Sequence, residues 1–160
     1  MDFKPLDKTI HRSEVARLFD RTADYVMLEH GRLPDADIVD GFFDDRPSCV
    51  AAKDSLHFGL LEDQNLIGIA GMLFGFPDKT DAYIGLMVLA PEARGHGNGA
   101  QLLSHLTGVA RARGAQRQLV AVLDANPKGR AFWDREGFVL ETSFPPSDDS
   151  HTRHRLTRKI

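Results

Sequence analysis

Residues 84–103 read IGLMVLAPEARGHGNGAQLL, a stretch that narrows the possible folds more than any other. Residues 84–90 form an apolar run, too short to span a membrane and the right length for a buried strand. Pro91 cannot donate to a sheet ladder, so the strand is expected to stop there. Arg94-Gly95-His96-Gly97-Asn98-Gly99 follows, after which Leu102, Leu103, Leu106, Val109 and Ala110 recur at helical spacing. A strand, a glycine-rich turn and a helix in succession point free backbone N–H groups at an anion. Glycine allows close approach because a Cβ would stand in the way. The stretch is therefore expected to cradle a diphosphate.

Spacing separates this loop from other phosphate-binding loops. A Walker loop ends in Gly-Lys-Ser/Thr, which is absent. A dinucleotide fingerprint reads G-x-G-x-x-G, whereas glycines at 95, 97 and 99 give G-x-G-x-G. The net charge of −3 gives no electrostatic reason to expect nucleic acid or an anionic membrane as partner. With 160 residues, 42% apolar, the chain is expected to form one domain, residues 1–160, with its own core. One cysteine precludes an internal disulfide and agrees with a reducing compartment. Residues 1–10 lack the apolar centre of a signal peptide, so the expected location is cytoplasmic.

Taken in order, residues 2–6 suit a short first strand. Ser13 suits an N-cap for one helix carrying Val15, Ala16, Leu18, Phe19, Val26 and Met27 and ending near Gly31. Leu33-Pro34-Asp35 opens a second helix with Pro34 near its first position. Its Ile38, Val39, Phe42 and Phe43 form an apolar face, opposite Asp37, Asp40 and Asp44. Residues 46–54 read as loop. Residues 56–61 and 66–74 read as a hairpin turning at 62–65. A turn at 77–80 leads into a strand from 81 or 82 to 90. The helix after the glycine loop ends at Gly114, and 118–123 is again an apolar strand. Asn126-Pro127 opens a helix as N-cap and first position, running to Glu136 and stopping at Gly137. Residues 138–144 and 151–159 are expected strands, with loop at 145–150. The order β-α-α-β-β-β-α-β-α-β-β implies an α+β (α/β three-layer) domain with a central mixed, mostly antiparallel sheet flanked by helices.

The loop, preceded by Pro-x-x, reads R-x-x-G-x-G and resembles the acetyl-CoA loop of the GNAT acyltransferases. A second segment, from Asn126 through Ala131, Phe132 and Trp133 to Gly137-Phe138, is similar, with local variation, to that family's N-x-x-x-x-A-x-x-F/Y-x-x-x-G-F pattern. The resemblance covers nearly the whole chain and implies the GNAT fold, in which the strands flanking the loop and its helix splay apart around the pantetheine arm. It implies an N-acetyltransferase that moves an acetyl group from acetyl-CoA directly to a primary amine of a small molecule or peptide. Met87, Val88 and Leu89 are then expected to pair with pantetheine through backbone amides. Arg94, Gly95, His96, Gly97, Asn98, Gly99 and Ala100 are expected to hold the diphosphate, with the His96 side chain in solvent. Asn126 is expected to touch the arm, and also reads simply as an N-cap.

Many relatives carry a tyrosine, proton donor to the leaving sulfur, where this chain has Trp133. Indole cannot take that role; a thiol pKa of about 8.5 leaves water able to protonate the sulfur late. Tyr25 and Tyr83 are the remaining phenols. Asp81 and Tyr83 stand in the region from which some relatives supply the base, with Asp124 and His57 as further candidates. Each also reads as an ordinary turn, core-edge or surface residue. Cys49 has no neighbouring base and reads as a small apolar residue. His151-x-x-His154 lies among arginines, so no metal is expected. The aspartates of 35–45 and Asp148-Asp149 suggest a cationic acceptor, though they also fit a solvated face. A homodimer fits the resemblance. The alternative function is a non-catalytic acyl-CoA binding or sensor domain; a toxin acting on aminoacyl-tRNA is disfavoured by the acidic balance.

Overall fold

The structure is a computed structural model and describes residues 1–147 and 151–160. It has seven strands, β1 Asp2–Pro5, β2 Ser55–Glu62, β3 Asn65–Phe74, β4 Asp81–Leu89, β5 Arg117–Leu123, β6 Val139–Phe144 and β7 Arg153–Lys159. Five helices accompany them, α1 Lys8–Arg21, α2 Ala23–His30, α3 Ala36–Asp44, α4 Asn98–Ala112 and α5 Pro127–Arg135. The strands form one sheet in the order β1-β2-β3-β4-β5-β7-β6. Every neighbouring pair is antiparallel except β4 and β5, which α4 connects in a crossover.

Two faces follow from β2. His57 packs edge-on against Phe42 of α3, while its neighbour Phe58 meets His105 of α4. Successive side chains on a strand point to opposite faces, so α3 and α4 lie on opposite sides of the sheet. Helix α1 joins α3 through Phe19 and Phe42. Helix α5 adjoins the start of α4, where Phe132 sits under Gly99. Leu102, Leu103, Leu106 and Ala110 of α4 are all buried, as the periodicity of the sequence requires. Each such leucine contributes roughly 1.5–3 kcal/mol of apolar burial.

Three local expectations are corrected. The first helix is capped by Asp7, whose carboxylate accepts from the Thr9 N–H at 2.8 Å. Ser13 is an exposed residue inside it. The reason is tertiary: Leu6 still donates to the His57 carbonyl of β2, so the chain leaves the sheet one residue before the helix begins. The single helix expected through residue 31 is broken at Thr22. That buried residue leaves helical geometry (φ −108°, ψ 32°) and its hydroxyl donates to the Phe19 carbonyl. The next helix is capped by Asp35, whose carboxylate accepts from Ile38 N–H at 2.9 Å. Pro34 therefore lies outside the helix rather than at its first position.

Candidate active site

Strands β4 and β5 run side by side only from Asp81 opposite Arg117 to Ile84 opposite Val120. Beyond that they part. The divergence begins at Gly85, an extra residue in β4: on β3, Met72 opposes Ile84 while Gly71 opposes Leu86. Such a bulge bends its strand and increases its twist. A cleft of about 800 Å³ opens between the separated strands, walled by residues 85–89 on one side and 120–123 on the other. The β5-facing backbone groups of β4 past Ile84 have no strand beside them. An inner edge of that kind can take an extended amide-bearing chain as if it were another strand. Met87, Val88 and Leu89 lie on this wall.

The glycine loop closes one end of the cleft. Gly95 and Gly97 have φ of +78° and +81°, the left-handed region that glycine enters without strain. A Cβ on either would meet nothing within 4 Å. Within the chain itself, backbone shape is what requires glycine at these two positions. Gly99 differs: a Cβ there would lie 3.1 Å from Cε2 of Phe132. The first helical bond of α4 is Gln101 N–H to the Gly97 carbonyl. Among the described residues, none of the N–H groups of residues 95–100 has a hydrogen-bond partner. Those donors, with the positive end of the α4 dipole, suit a diphosphate. Gly95, Gly97, Gly99 and Ala100 line the cleft.

The loop side chains divide by role. Asn98 is buried, and its Nδ2 donates to the Ala93 carbonyl at 3.0 Å, tying the loop to the turn before it. His96 is exposed. Arg94 donates through Nε to the Leu89 carbonyl at 3.0 Å and through both terminal nitrogens to Asp24, at 2.6 and 3.1 Å. This pairing holds the Asp24 carboxyl below its ordinary pKa. Of five guanidinium N–H groups, those on the fork that face away from Asp24 stay available to an anion. Asn126 accepts from the Gly129 N–H at 2.9 Å, capping α5. Its Nδ2 has no partner among the described residues, and Asn126 lines the cleft, so capping and cofactor contact are compatible. Gly129 is needed there, because a Cβ would come within 2.5 Å of that Nδ2.

The expected catalytic pair is not assembled. Asp81 is 2% exposed, and both its oxygens are bound by Arg117, at 2.9 and 2.8 Å. Arg117 pulls its pKa down. It starts β4, and with about 3.4 Å per residue lies roughly 20 Å along the strand from Met87. Tyr83 packs edge-on against Phe76, and burial raises its pKa. Neither residue reaches the cleft. Asp124 is exposed and binds Nε2 of His154 at 3.0 Å. Trp133 is 6% exposed, packed edge-on between Phe132 and Phe138 at 4.9 and 5.1 Å between centroids. Cys49 is exposed rather than packed as a small apolar residue. Among the described residues there is no group of three or more His, Cys, Asp or Glu placed to hold a metal.

A second cleft, about 590 Å³, lies on the α3 side of the sheet. Gly71 and Gly85 leave its floor without side chains, and Phe42 and His57 stand over it. His57 is half-buried against Phe42 and Phe43, not a surface residue, and that burial lowers its pKa. The rim carries Glu29, Asp37, Asp40, Asp44 and Asp45, against His30 and an Arg32 that pairs with Asp35. Asp40 is paired with Arg12 and Lys8, and Asp44 with Lys8. Asp37 and Asp45 have no ion-pair partner among the described residues. Asp148 and Asp149, expected to share this acidic border, lie outside the described residues. The two clefts meet at Tyr25, Glu29, Gly85 and Leu86. Sequence reasoning named Tyr25 only as a leftover phenol and did not single out Glu29. Their four-residue spacing, which puts both on one helical face, was the available signal.

Known proteins share this fold. The family model described as "Acetyltransferase (GNAT) family" matches residues 17–138. No curated protein sequence matches the chain. Among solved structures, an acetyltransferase from Thermus thermophilus is similar with a TM-score of 0.80 at 23% identity, over 99% of this chain and 96% of that one. The GNAT domain of S. lividans PAT is similar with a TM-score of 0.75 at 18% identity, over 99% and 89%. The ribosomal-protein-S18-alanine N-acetyltransferase of Escherichia coli gives 0.73 at 16% identity, over 99% and 93%. At these identities the structural likeness speaks to fold alone.

Proposed function

The chain belongs to the acetyltransferase (GNAT) family, and on that footing we propose that it moves an acetyl group from acetyl-CoA directly to a primary amine carrying further positive charge. The observation that carries this reading is the continuity of the larger cleft. Unpartnered N–H groups of residues 95–100 lie at one end, and the unpaired edge of β4 runs from there to the bulge at Gly85. The donor set fits the co-substrate: charge-binding amides for the diphosphate, and strand-like amides for the pantetheine arm.

In this reading residues 95–100 and the start of α4 hold the diphosphate, with Arg94 adding a donor beside its Asp24 contact. Met87, Val88 and Leu89 align the arm through their backbone, and Asn126 Nδ2 contacts it from α5. An N–H of β4 in this segment donates to the thioester carbonyl and stabilises the charge that develops on its oxygen. Together these contacts replace water around the reacting carbonyl with fixed donors.

The acceptor enters by the second cleft, over Gly71 and Gly85, with its reactive nitrogen toward the bulge. Unpaired Asp37 and Asp45 on the rim favour a diamine, amino sugar or lysine-like side chain over an anionic amine. The test is a panel of cationic, neutral and anionic primary amines with acetyl-CoA, monitored by free thiol. Thiol release with highest kcat/KM for dications, falling as salt is raised, is the expected result. Tight acetyl-CoA binding with no thiol release from any amine would establish a binding domain instead. Preference for anionic amines would overturn the assigned acceptor class alone.

A further inference from the structure

With Trp133 packed between two phenylalanines, the phenol that many relatives place there has no counterpart on α5. A phenol and a carboxylate stand instead on α2, across the cleft. Tyr25 and Glu29 are four residues apart on that helix and so share a face. They are the side chains of α2 that border both clefts, and the clefts otherwise share only Gly85 and Leu86, the bulge of β4. This is the place where a thioester lying along β4 and an amine entering over Gly71 would meet.

Both groups have free valence. The Tyr25 hydroxyl has no hydrogen-bond partner among the described residues, although the ring is half-buried. Glu29 Oε1 accepts from Arg153 of β7 at 3.0 Å, and Oε2 has no partner among the described residues. Burial, and secondarily the charge of Glu29, push the Tyr25 pKa upward, so the phenol keeps its proton at every working pH. Glu29 interacts with Arg153 on β7, Tyr25 on its own helix and Tyr83 on β4, and the second cleft it borders also carries His30, Arg32, the aspartates of α3 and His57 of β2.

We propose that Tyr25 and Glu29 are the proton-handling pair of the acyl transfer, Glu29 taking the proton that the amine sheds and Tyr25 handing one to the departing sulfur. The neutral amine nitrogen forms the N–C bond to the acyl carbon. The C–S bond breaks and its electron pair leaves on sulfur. The surplus proton on nitrogen passes to the Glu29 carboxylate, and the phenolic proton of Tyr25 passes to sulfur. As Tyr25 gives up its proton, Glu29 returns one to the phenolic oxygen, directly or through one water. Both side chains end as they began, and the products are amide and thiol. Because Tyr25 is a reluctant acid, proton return from Glu29 accompanies its donation rather than following a free phenolate.

This assignment rests on the acetyltransferase reading above, and the experiment separates the two. The full chain is assayed with acetyl-CoA and its best amine, as parent, Tyr25→Phe, Glu29→Gln, Glu29→Asp and Arg153→Met. Acetyl-CoA affinity is measured in parallel by calorimetry. Tyr25→Phe is expected to lower kcat by about 10²-fold with affinity for acetyl-CoA unchanged. Glu29→Gln is expected to lower kcat about as much, and Glu29→Asp to restore it in part. Arg153→Met breaks the ion pair and leaves the carboxylate, so it is expected to stay close to the parent kcat. Tyr25→Phe or Glu29→Gln within threefold of the parent kcat overturns the pair. So does Arg153→Met reproducing the Glu29→Gln loss of kcat, since Glu29 would then be only an ion-pair partner. The chain has two tyrosines, so fluorotyrosine in a Tyr83→Phe background reports Tyr25 alone. Its fluorine resonance is expected to shift on addition of CoA, and an unmoved resonance also overturns the proposal. A parent that binds acetyl-CoA yet acylates no amine defeats the acetyltransferase reading and the pair with it. A parent that turns over beside equally active variants defeats the pair alone.

Discussion

Placing a charge at Gly97 tests the diphosphate cradle with its own internal control. Gly97 caps α4 at φ +81° and ψ −1°. A Cβ there meets nothing within 4 Å, so a side chain costs backbone strain and no clash. Asn and Asp are the residues that best tolerate this conformation, and the strain is about 1–2 kcal/mol for either. A domain stable by about 5–15 kcal/mol absorbs that. Gly97→Asn and Gly97→Asp therefore differ by one charge at equal shape. At about 7 Å from a phosphate charge, Coulomb repulsion is about 0.6 kcal/mol in water and about 2.4 kcal/mol at an effective dielectric of about 20. A tenfold change takes about 1.4 kcal/mol, so the aspartate variant should bind CoA about 3-fold to 50-fold more weakly than the asparagine variant. The Debye length falls from about 10 Å at 0.1 M salt to about 3 Å at 1 M, so the gap should close at high salt. Calorimetry with CoA gives the ratio, and pantetheine, which lacks the diphosphate, should not distinguish the variants. Two folded variants with equal CoA affinity at 0.1 M salt would refute the cradle.

Asp81→Asn leaves Arg117 with Glu141 and Asp78 but without its buried charged partner, and should cost about 1–3 kcal/mol of stability while acetyl-CoA affinity holds. Because Arg117 depresses the Asp81 pKa in the folded state, this stabilisation is complete above the unfolded carboxylate pKa of about 3.9 and is lost as pH falls through the lower folded value. The melting-temperature difference between parent and variant should thus shrink below about pH 4. Gly129→Ala drives a Cβ into Asn126, so it should remove about 1 kcal/mol of helix capping and weaken acetyl-CoA binding, seen by melting and calorimetry; unchanged affinity would free Asn126 of any cofactor contact. Burial lowers the pKa of His57 and His105, so the unfolded chain takes up protons first as pH falls through about 6.5. Parent stability should decline there, and the double variant His57→Gln, His105→Gln should show a shallower decline.

Much of the site was legible because it is local. The apolar run into Pro91, the glycines at 95, 97 and 99 and the helical spacing of Leu102, Leu103 and Leu106 lie within a few turns of chain. Asn126-Pro127 likewise reports its own helix start. Such patterns act through nearest neighbours, so residue order alone determines a strand, a loop of bare amides and a capped helix. It also limited the fold class, through the alternation of strands and helices, and excluded a tyrosine at 133.

Tertiary structure decided which groups meet. Asp24 and Arg94 are 70 residues apart, and Asp81 and Arg117 are 36 apart. Nothing local says which of many carboxylates a given arginine will find. The break at Thr22 turned one expected helix into two and presented Tyr25 and Glu29 to the junction of the clefts. The bulge at Gly85 moved β4 off β5 and made the cleft itself. A mid-strand glycine hints at such a bulge, but the opening exists only because two strands that pair at Ile84 and Val120 diverge beyond them. Capping, periodicity and turns are short-range effects. Charge pairing and the gap between strands depend on the whole sheet having formed.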